Sequence, residues 1–533
     1  MTRFAGSMLL GLAWFLVACG GGNDAIDAAN EVAGDTHEVA ADDTGDAVDA
    51  ADTPDVVVPA LPRLRAEGTT IVDAAGNPVR WRGVNLGGWM FHETWITLVG
   101  YPDHARLHLL AVDMGLADAV DPIIRDVGVV WGDNPAGGWA VCPASDPVWV
   151  DAFRDAAVPV LGQAATDELL AKLAPLAGEC DDADLALRTL FEQRFGQDGK
   201  QELLDAFQDA WLKPADLAWV AEQGFTVVRV PITYRALVKQ AEENFPASLD
   251  WYEPAFQRLD ALLDACEQSG LYAVLDIQEC PGGQNTYTGV TGLYDHPEMQ
   301  ALTVQLWEKL SERYRDRDVV GAYSLLAEPY GAPDEAARDA VYDRLVKAIR
   351  ARGDDHLLII HDGFFGMDSL PVAADLGWTN VVYSTHLFET ATTEAAYGIL
   401  LAGMKNVFSK AQARQGVPYY IGSFSTYFDQ DWAYAVTEKL VTWYEEAGYG
   451  WSVWTWKRPD DPLTAQLFDG YQTQWGVLGR LADPDAFDRP DPHQDSKETL
   501  LAKFVAYADL QVEPNARLLE ILTAPVRADA RRR

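Results

Sequence analysis

From about residue 62 the chain repeats one pattern: a short apolar run, a polar or aromatic end, then a stretch whose apolar positions recur at helical spacing. Eight such runs occur, at 81–85, 226–232, 272–278, 320–328, 357–362, 381–388, 419–424 and 451–456. After the second, Phe256, Leu259, Leu263 and Cys266 mark one helical face, and Gly270 stands where that helix should stop. Segments 298–314, 334–352 and 431–447 read the same way. Eight strands alternating with helices predict parallel pairing and closure into a (β/α)8 barrel over about 62–510. Ahead of the first strand, 71–78 reads as a small hairpin capping the barrel bottom.

One interval breaks the rhythm. Roughly 140 residues separate the first two strands, far more than a single crossover needs. The resulting insertion, about 92–215, carries helical stretches of its own at 165–174, stopped by Pro175, and at 185–195. It leaves the C-terminal end of a strand, so a lid or subsite wall over the catalytic face is the preferred expectation. A purely structural decoration is the alternative.

The ends read differently. Residues 1–18 hold one Arg and then an apolar run too short to span a bilayer as a mature helix, which is the shape of a secretory signal. Residues 19–60 carry 11 Asp or Glu and no Lys or Arg, and predict an extended, disordered tether. Residues 511–533 read as a tail, basic from Val526 onward.

Composition narrows the function. The formal charge is −40, with 81 acidic against 41 basic side chains, which disfavours phosphate backbones and excludes nucleic acid as an expected partner. Neutral ligands stay open, and 18 Trp, 20 Tyr and 19 Phe suit stacking on sugars as well as a large core. Five cysteines include Cys142 and Cys180 within the insertion, which an exported protein could pair; the sequence does not establish the bond. No Cys or His cluster suggests a metal, and no motif implies an organic cofactor.

Two resemblances follow from particular residues. Leu16-Val17-Ala18-Cys19-Gly20 resembles the lipobox of bacterial lipoproteins, which implies lipidation of Cys19, contact with a membrane through that anchor alone, and an outer-membrane or cell-surface location. Gly83-Val-Asn-Leu-Gly-Gly-Trp89, followed by Glu93-Thr-Trp-Ile-Thr97, resembles the opening of glycoside hydrolase family 5, especially its exo-β-1,3-glucanase-like branch. Val228-Arg-Val-Pro-Ile232, Asp276-Ile-Gln-Glu-Cys-Pro-Gly-Gly-Gln-Asn285, Ala327-Glu-Pro329, Ser384-Thr-His-Leu-Phe388 and Trp451-Ser-Val-Trp-Thr-Trp-Lys457 resemble later strand ends of that family, in order.

The resemblance implies a polysaccharide or oligosaccharide substrate, with β-glucan favoured. It places the acid/base at Glu328 and the nucleophile position at Ser423, where the family carries a carboxylate. It makes Arg229, Gln278, His386, Phe388, Trp454 and Trp456 the substrate-binding residues, with Gln278 and Phe388 standing for a His and a Tyr, and Ala327 for an Asn. A serine hydroxyl is a poor nucleophile towards an acetal and cannot offset oxocarbenium charge, so ordinary retaining hydrolysis lacks its second group. Three expectations remain: a hydrolase using another carboxylate (Glu279, Glu389, Asp429 or Asp431, each just past a strand end), a catalytically inactive carbohydrate binder, or a structural interaction module of the cell surface.

Overall fold

The computed structural model describes residues 61–127, 147–176, 183–239, 248–285, 292–389, 393–426, 431–467 and 476–532. The signal segment, Cys19, the acidic tether, Cys142 and Cys180 lie outside the described residues.

Each of the eight apolar runs forms a strand: β1 (Arg82–Asn85), β2 (Val227–Thr233), β3 (Tyr272–Glu279), β4 (Val320–Ser324), β5 (Leu357–His361), β6 (Val381–Glu389), β7 (Tyr419–Thr426) and β8 (Gly450–Val453). Each pairs in parallel with the next, and β8 returns to β1 with Trp451 opposite Arg82 and Val453 opposite Val84. The sheet is a closed (β/α)8 barrel. β2 shows why: all seven of its residues are buried, and Val227, Val228, Val230 and Ile232 supply β-branched side chains for the two covered faces.

Two predicted strands are too long, and the excess is instructive. Pairing in β4 stops at Ser324 and in β8 at Val453. Beyond them the chain continues in irregular mouth segments tied to neighbouring strands. Leu325 N–H donates to Ile359 O, Ala327 N–H to Ile277 O, Trp454 N–H to Phe424 O and Trp456 N–H to Asn85 O. Those segments carry Glu328 and the two tryptophans.

Helix 253–269 buries Phe256, Leu259, Leu263 and Cys266, and ends at Gly270 in the left-handed conformation, φ 71°. The bottom of the barrel is closed by a hairpin of strands Arg65–Glu67 and Thr70–Val72. The predicted 71–78 hairpin follows directly, in short form: Val72 bridges Pro78 in antiparallel fashion and Val79 N–H donates to Ile71 O. Its tip is held by Asp73, whose Oδ1 accepts from the amides of Ala75 and Asn77. Above it Leu64, Ile71, Trp81, Val274 and Ile359 belong to one apolar plug.

The insertion has a small core of its own. Helices Asp103–Asp113, Ala117–Val127, Pro147–Leu161 and Gln163–Leu173 gather around Leu107, Ile124, Trp149, Phe153 and Leu169. Both helices expected there are present, the second within Ala183–Trp211, which breaks at Gly196, φ 74°. The insertion is fastened beside the segment that leaves β8. Arg106 makes a two-pronged ion pair with Asp491, at 2.7 and 3.0 Å, and His104 Nε2 meets Thr464 Oγ1 at 2.7 Å.

The C-terminal tail is corrected outright. Residues Ala516–Arg532 form a helix whose Leu518 and Leu522 enter the main core. Asp529 joins Glu445 on the Arg82 guanidinium at the start of β1. The basic run and Pro525 concealed an amphipathic helix.

Candidate active site

Glu328 is the centre of the mouth. Its backbone is left-handed, φ 45°, a conformation that costs a residue with a Cβ about 1 kcal/mol or more and survives where the surroundings enforce it. Gln284 is one enforcer: its side-chain amide donates to Gln278 O and Ala327 O, at 2.8 and 2.9 Å, and its carbonyl accepts from Cys280 N–H. The loop after β3 is thereby fastened to the loop after β4.

Both carboxyl oxygens of Glu328 are held. Oε1 lies 2.6 Å from His386 Nδ1, and Oε2 accepts from Asn285 Nδ2 at 2.9 Å. The side chain keeps 12% exposure, enough to meet a ligand. Burial raises its pKa, against the opposing influence of His361, Arg229 and Asn285. His361 and His386 pack edge to face with centroids 4.5 Å apart, and burial drives both far below the ordinary imidazole range. Both rings are neutral at pH 7, and a single proton lies between His386 and Glu328.

Arg229 is buried and its donors are spent on the barrel. It donates to Asn85 Oδ1 at 2.7 Å, Asp276 Oδ2 at 2.8 Å and Gln278 Oε1 at 3.0 Å. Its contribution at the mouth is positive potential and the positioning of Gln278, rather than a free hydrogen-bonding edge.

Ser423 faces His386 in the register of β6 and β7. It is 1% exposed, and its Oγ makes no hydrogen bond among the described residues. No base is therefore bonded to it, so nothing described converts the hydroxyl into a nucleophile. The preceding Gly422 is needed for packing: a Cβ there would meet His386 Nε2 at 2.9 Å and Ser384 Oγ at 3.0 Å. Gly422→Ala is expected to push the His386 ring off Glu328 and lower sugar turnover or binding about tenfold. Loss of the His386 Nδ1 proton resonance coupled to Glu328 is the check, and an unchanged resonance speaks against it.

The aromatic expectations need one correction. Trp456 is 0% exposed, edge-on to Trp211 at 6.3 Å, with the Lys457 ammonium 4.4 Å from its ring centre, so it is a core residue and no sugar platform. Trp454 is also buried, and Phe388 is half-buried with its ring edge-on to His386 at 6.4 Å. An exposed aromatic beside the Glu328–His386–His361 cluster is Phe364 (40%), just past β5, which packs against Tyr330 and His361.

The proposed substitute carboxylates fare as follows. Glu279 is buried in an ion pair with Arg235 and accepts from Thr233 Oγ1. Asp431 is at the surface, paired with Arg517. The side chain of Glu389 and all of Asp429 lie outside the described residues. Glu93 and Asn285 stand within family-like motifs that assign them no role, and His361 and Phe364 have no local signal in the sequence. Among the described residues no group of three or more His, Cys, Asp or Glu is placed to hold a metal ion.

Residues 196–460 match the family model described as Cellulase (glycosyl hydrolase family 5). The chain is similar to a β-xylosidase of Phanerodontia chrysosporium, 26% identical over 359 residues, covering 66% of this chain and 56% of that protein. It is also similar to a probable glucan 1,3-beta-glucosidase A of Neosartorya fischeri, 27% identical over 300 residues, covering 52% and 62% respectively. Among solved structures, an endogalactoceramidase aligns at 18% identity and TM-score 0.46, over 84% of this chain and 85% of that one. The chain thus spans little more than half the length of the curated relatives it matches. Arg229, Glu328, His386 and Ser423 all fall inside the matched stretch, and it is to glycosyl hydrolase family 5 that this barrel and its mouth are similar.

Proposed function

We propose that this protein is a family 5-type glycoside hydrolase acting on a β-glucan-type polysaccharide, exported and held to the cell surface by a lipid on Cys19. Glu328 carries the reading. A carboxyl at the C-terminal end of a barrel strand, held in a strained conformation, gripped through both oxygens and raised in pKa by burial, has what protonating a glycosidic oxygen requires. The similarity to glucan-cleaving relatives supports the substrate class. Reducing-sugar release from laminarin and phenol release from an aryl β-glucoside, by the purified full-length protein, test it; silence on both sinks the hydrolytic reading.

A second reading, a carbohydrate binder without turnover, is favoured by Ser423, whose hydroxyl has no bonded base. Calorimetry with laminari-oligosaccharides separates the two, since a binder gives heat without product. Under either reading Phe364→Ala is expected to weaken oligosaccharide binding about tenfold, or ~1.4 kcal/mol, through loss of an exposed stacking face. Its melting temperature should stay within a few degrees of wild type. Unchanged affinity would remove Phe364 from the binding surface.

A further inference from the structure

We propose that Glu93 is the second reacting carboxylate of this site, the general base that activates water while Glu328 protonates the leaving oxygen; the inference rests on the glycosidase reading above.

Placement comes first. After β1 the chain does not turn away into a helix but runs on along the barrel rim between β2 and the segment that follows β8. Leu86 N–H donates to Arg229 O and Gly87 N–H to Thr455 Oγ1, then Met90 bridges Ile232 and its carbonyl accepts from Thr233 N–H. Gly88 makes the bend, at φ 80°, where a Cβ would meet Thr97 Cγ2 at 2.6 Å. His92 N–H donates to Asp184, which is itself ion-paired with Arg188. Glu93 follows, its carbonyl accepting from Ile96 and Thr97. A segment fixed at so many points sets Glu93 at the C-terminal rim of the barrel, where Glu328 and Arg229 act on its carboxyl.

The carboxyl has a partner on one side only. Oε1 accepts from Trp95 Nε1 at 3.2 Å, whereas Oε2 is buried and has no hydrogen-bond partner among the described residues. Buried polar atoms kept for folding are nearly always satisfied, because an unmade hydrogen bond costs the full desolvation of the group. Asp276 Oδ1 is likewise buried without a hydrogen bond among the described residues, but the other mouth carboxylates are each anchored by a cation or by two donors. Asp276 bonds Arg229, Glu279 bonds Arg235 and Thr233, and Asp362 accepts from Thr385 Oγ1 and Phe364 N–H. Glu93 has neither, its one bond coming from the neutral Trp95 indole, and it lies within the fields of Glu328 and Arg229, the two charged groups that act on it. Burial first, then Glu328, pushes the Glu93 pKa to about 8. With its pKa near 8, Glu93 holds a proton at pH 7, so the form that reacts is the minor one in which that proton has passed to Glu328.

The singly protonated pair is the reacting form. A water oxygen bonds to the anomeric carbon as the glycosidic C–O bond breaks. The water's proton passes to Glu93, and the Glu328 proton passes to the departing sugar oxygen. One water is consumed, and exchange with solvent returns the proton from Glu93 to Glu328. Attack by water from the face opposite the leaving group inverts the anomeric centre. Ser423 has no part in this route, which removes the conflict between a retained acid and an absent nucleophile.

The test uses full-length protein on laminarin and an aryl β-glucoside, with the first-formed anomer read by proton NMR. Wild type is expected to release the α-anomer, with the alkaline limb of its kcat/KM profile near pH 8. Glu93→Gln is expected to lower kcat about 10³-fold while laminari-oligosaccharide Kd stays within a few-fold. In Glu93→Ala, azide attacks without needing a base, and should restore turnover and yield the α-glycosyl azide; this holds the proposal to account if the glutamine variant folds poorly. Wild-type silence on both substrates overturns the hydrolytic reading and this role together. Turnover that survives Glu93→Gln, a retained anomer from wild type, or loss of binding along with turnover overturns Glu93 as the base while the glycosidase reading stands.

Discussion

Glu328→Gln is expected to lower kcat on laminarin by about 10²–10⁴-fold, or ~3–5 kcal/mol of transition-state stabilisation, with KM nearly unchanged. The amide keeps the shape of the carboxyl. Its oxygen can still accept from Asn285 Nδ2 and its NH2 can donate to His386 Nδ1, so the two contacts of Glu328 survive with the charge removed. What is lost is the proton that the leaving sugar needs. The deficit should therefore shrink on an aryl β-glucoside with an acidic phenol, which departs with little protonation. Folding should be unaffected within about 1 kcal/mol, since a neutral amide is no more costly to bury here than a carboxyl raised in pKa by burial. Parallel kinetics on the two substrates, with thermal melting as control, decide it. An equal loss on both substrates would make Glu328 something other than the acid.

The barrel was legible because its strands are covered on both faces, so they write themselves into the sequence as apolar runs with helical periods between. β2, buried at all seven positions, is the plainest case. Glu328 was legible because its neighbours in sequence, Ala327 and Pro329, mark the end of β4. Three failures have physical causes. Trp454 and Trp456 alternate correctly for one strand face, but periodicity cannot say that Trp211, from the far end of the insertion, fills the space beside Trp456. Glu93 was overlooked because its importance is three-dimensional. Nothing local shows that residues 86–92 run on along the barrel rim, or that Glu328, 235 positions later, acts on its carboxyl. The C-terminal helix was hidden in the same way: its purpose is the Arg82 guanidinium and the core around Leu518, both supplied from elsewhere in the chain.

Ser423→Glu is expected to open a second chemical route in the same pocket. The position has what a nucleophile needs: register opposite His386, a glycine before it that leaves room for that ring, and an Oγ with no described partner to displace. A carboxylate there attacks the anomeric carbon directly, so the first product becomes the β-anomer. A 2-deoxy-2-fluoro-glucoside should then label residue 423 covalently. On an aryl β-glucoside the gain should reach about 10³-fold over whatever background the pocket gives without a second carboxylate. The cost is a new buried charge at a site 1% exposed, about 1–3 kcal/mol of stability, read as a lower melting temperature. Combining it with Glu93→Gln makes the argument sharp, because the retaining route uses its own nucleophile and Glu328 alone for proton transfer. Glu93→Gln should be nearly inert by itself, yet the double variant should keep the activity and the retained anomer of Ser423→Glu. This large non-additivity is expected only when two groups serve alternative routes through one intermediate charge. A double variant as inert as Glu93→Gln alone would mean that both routes need Glu93, which would place it on the sugar as a binding group.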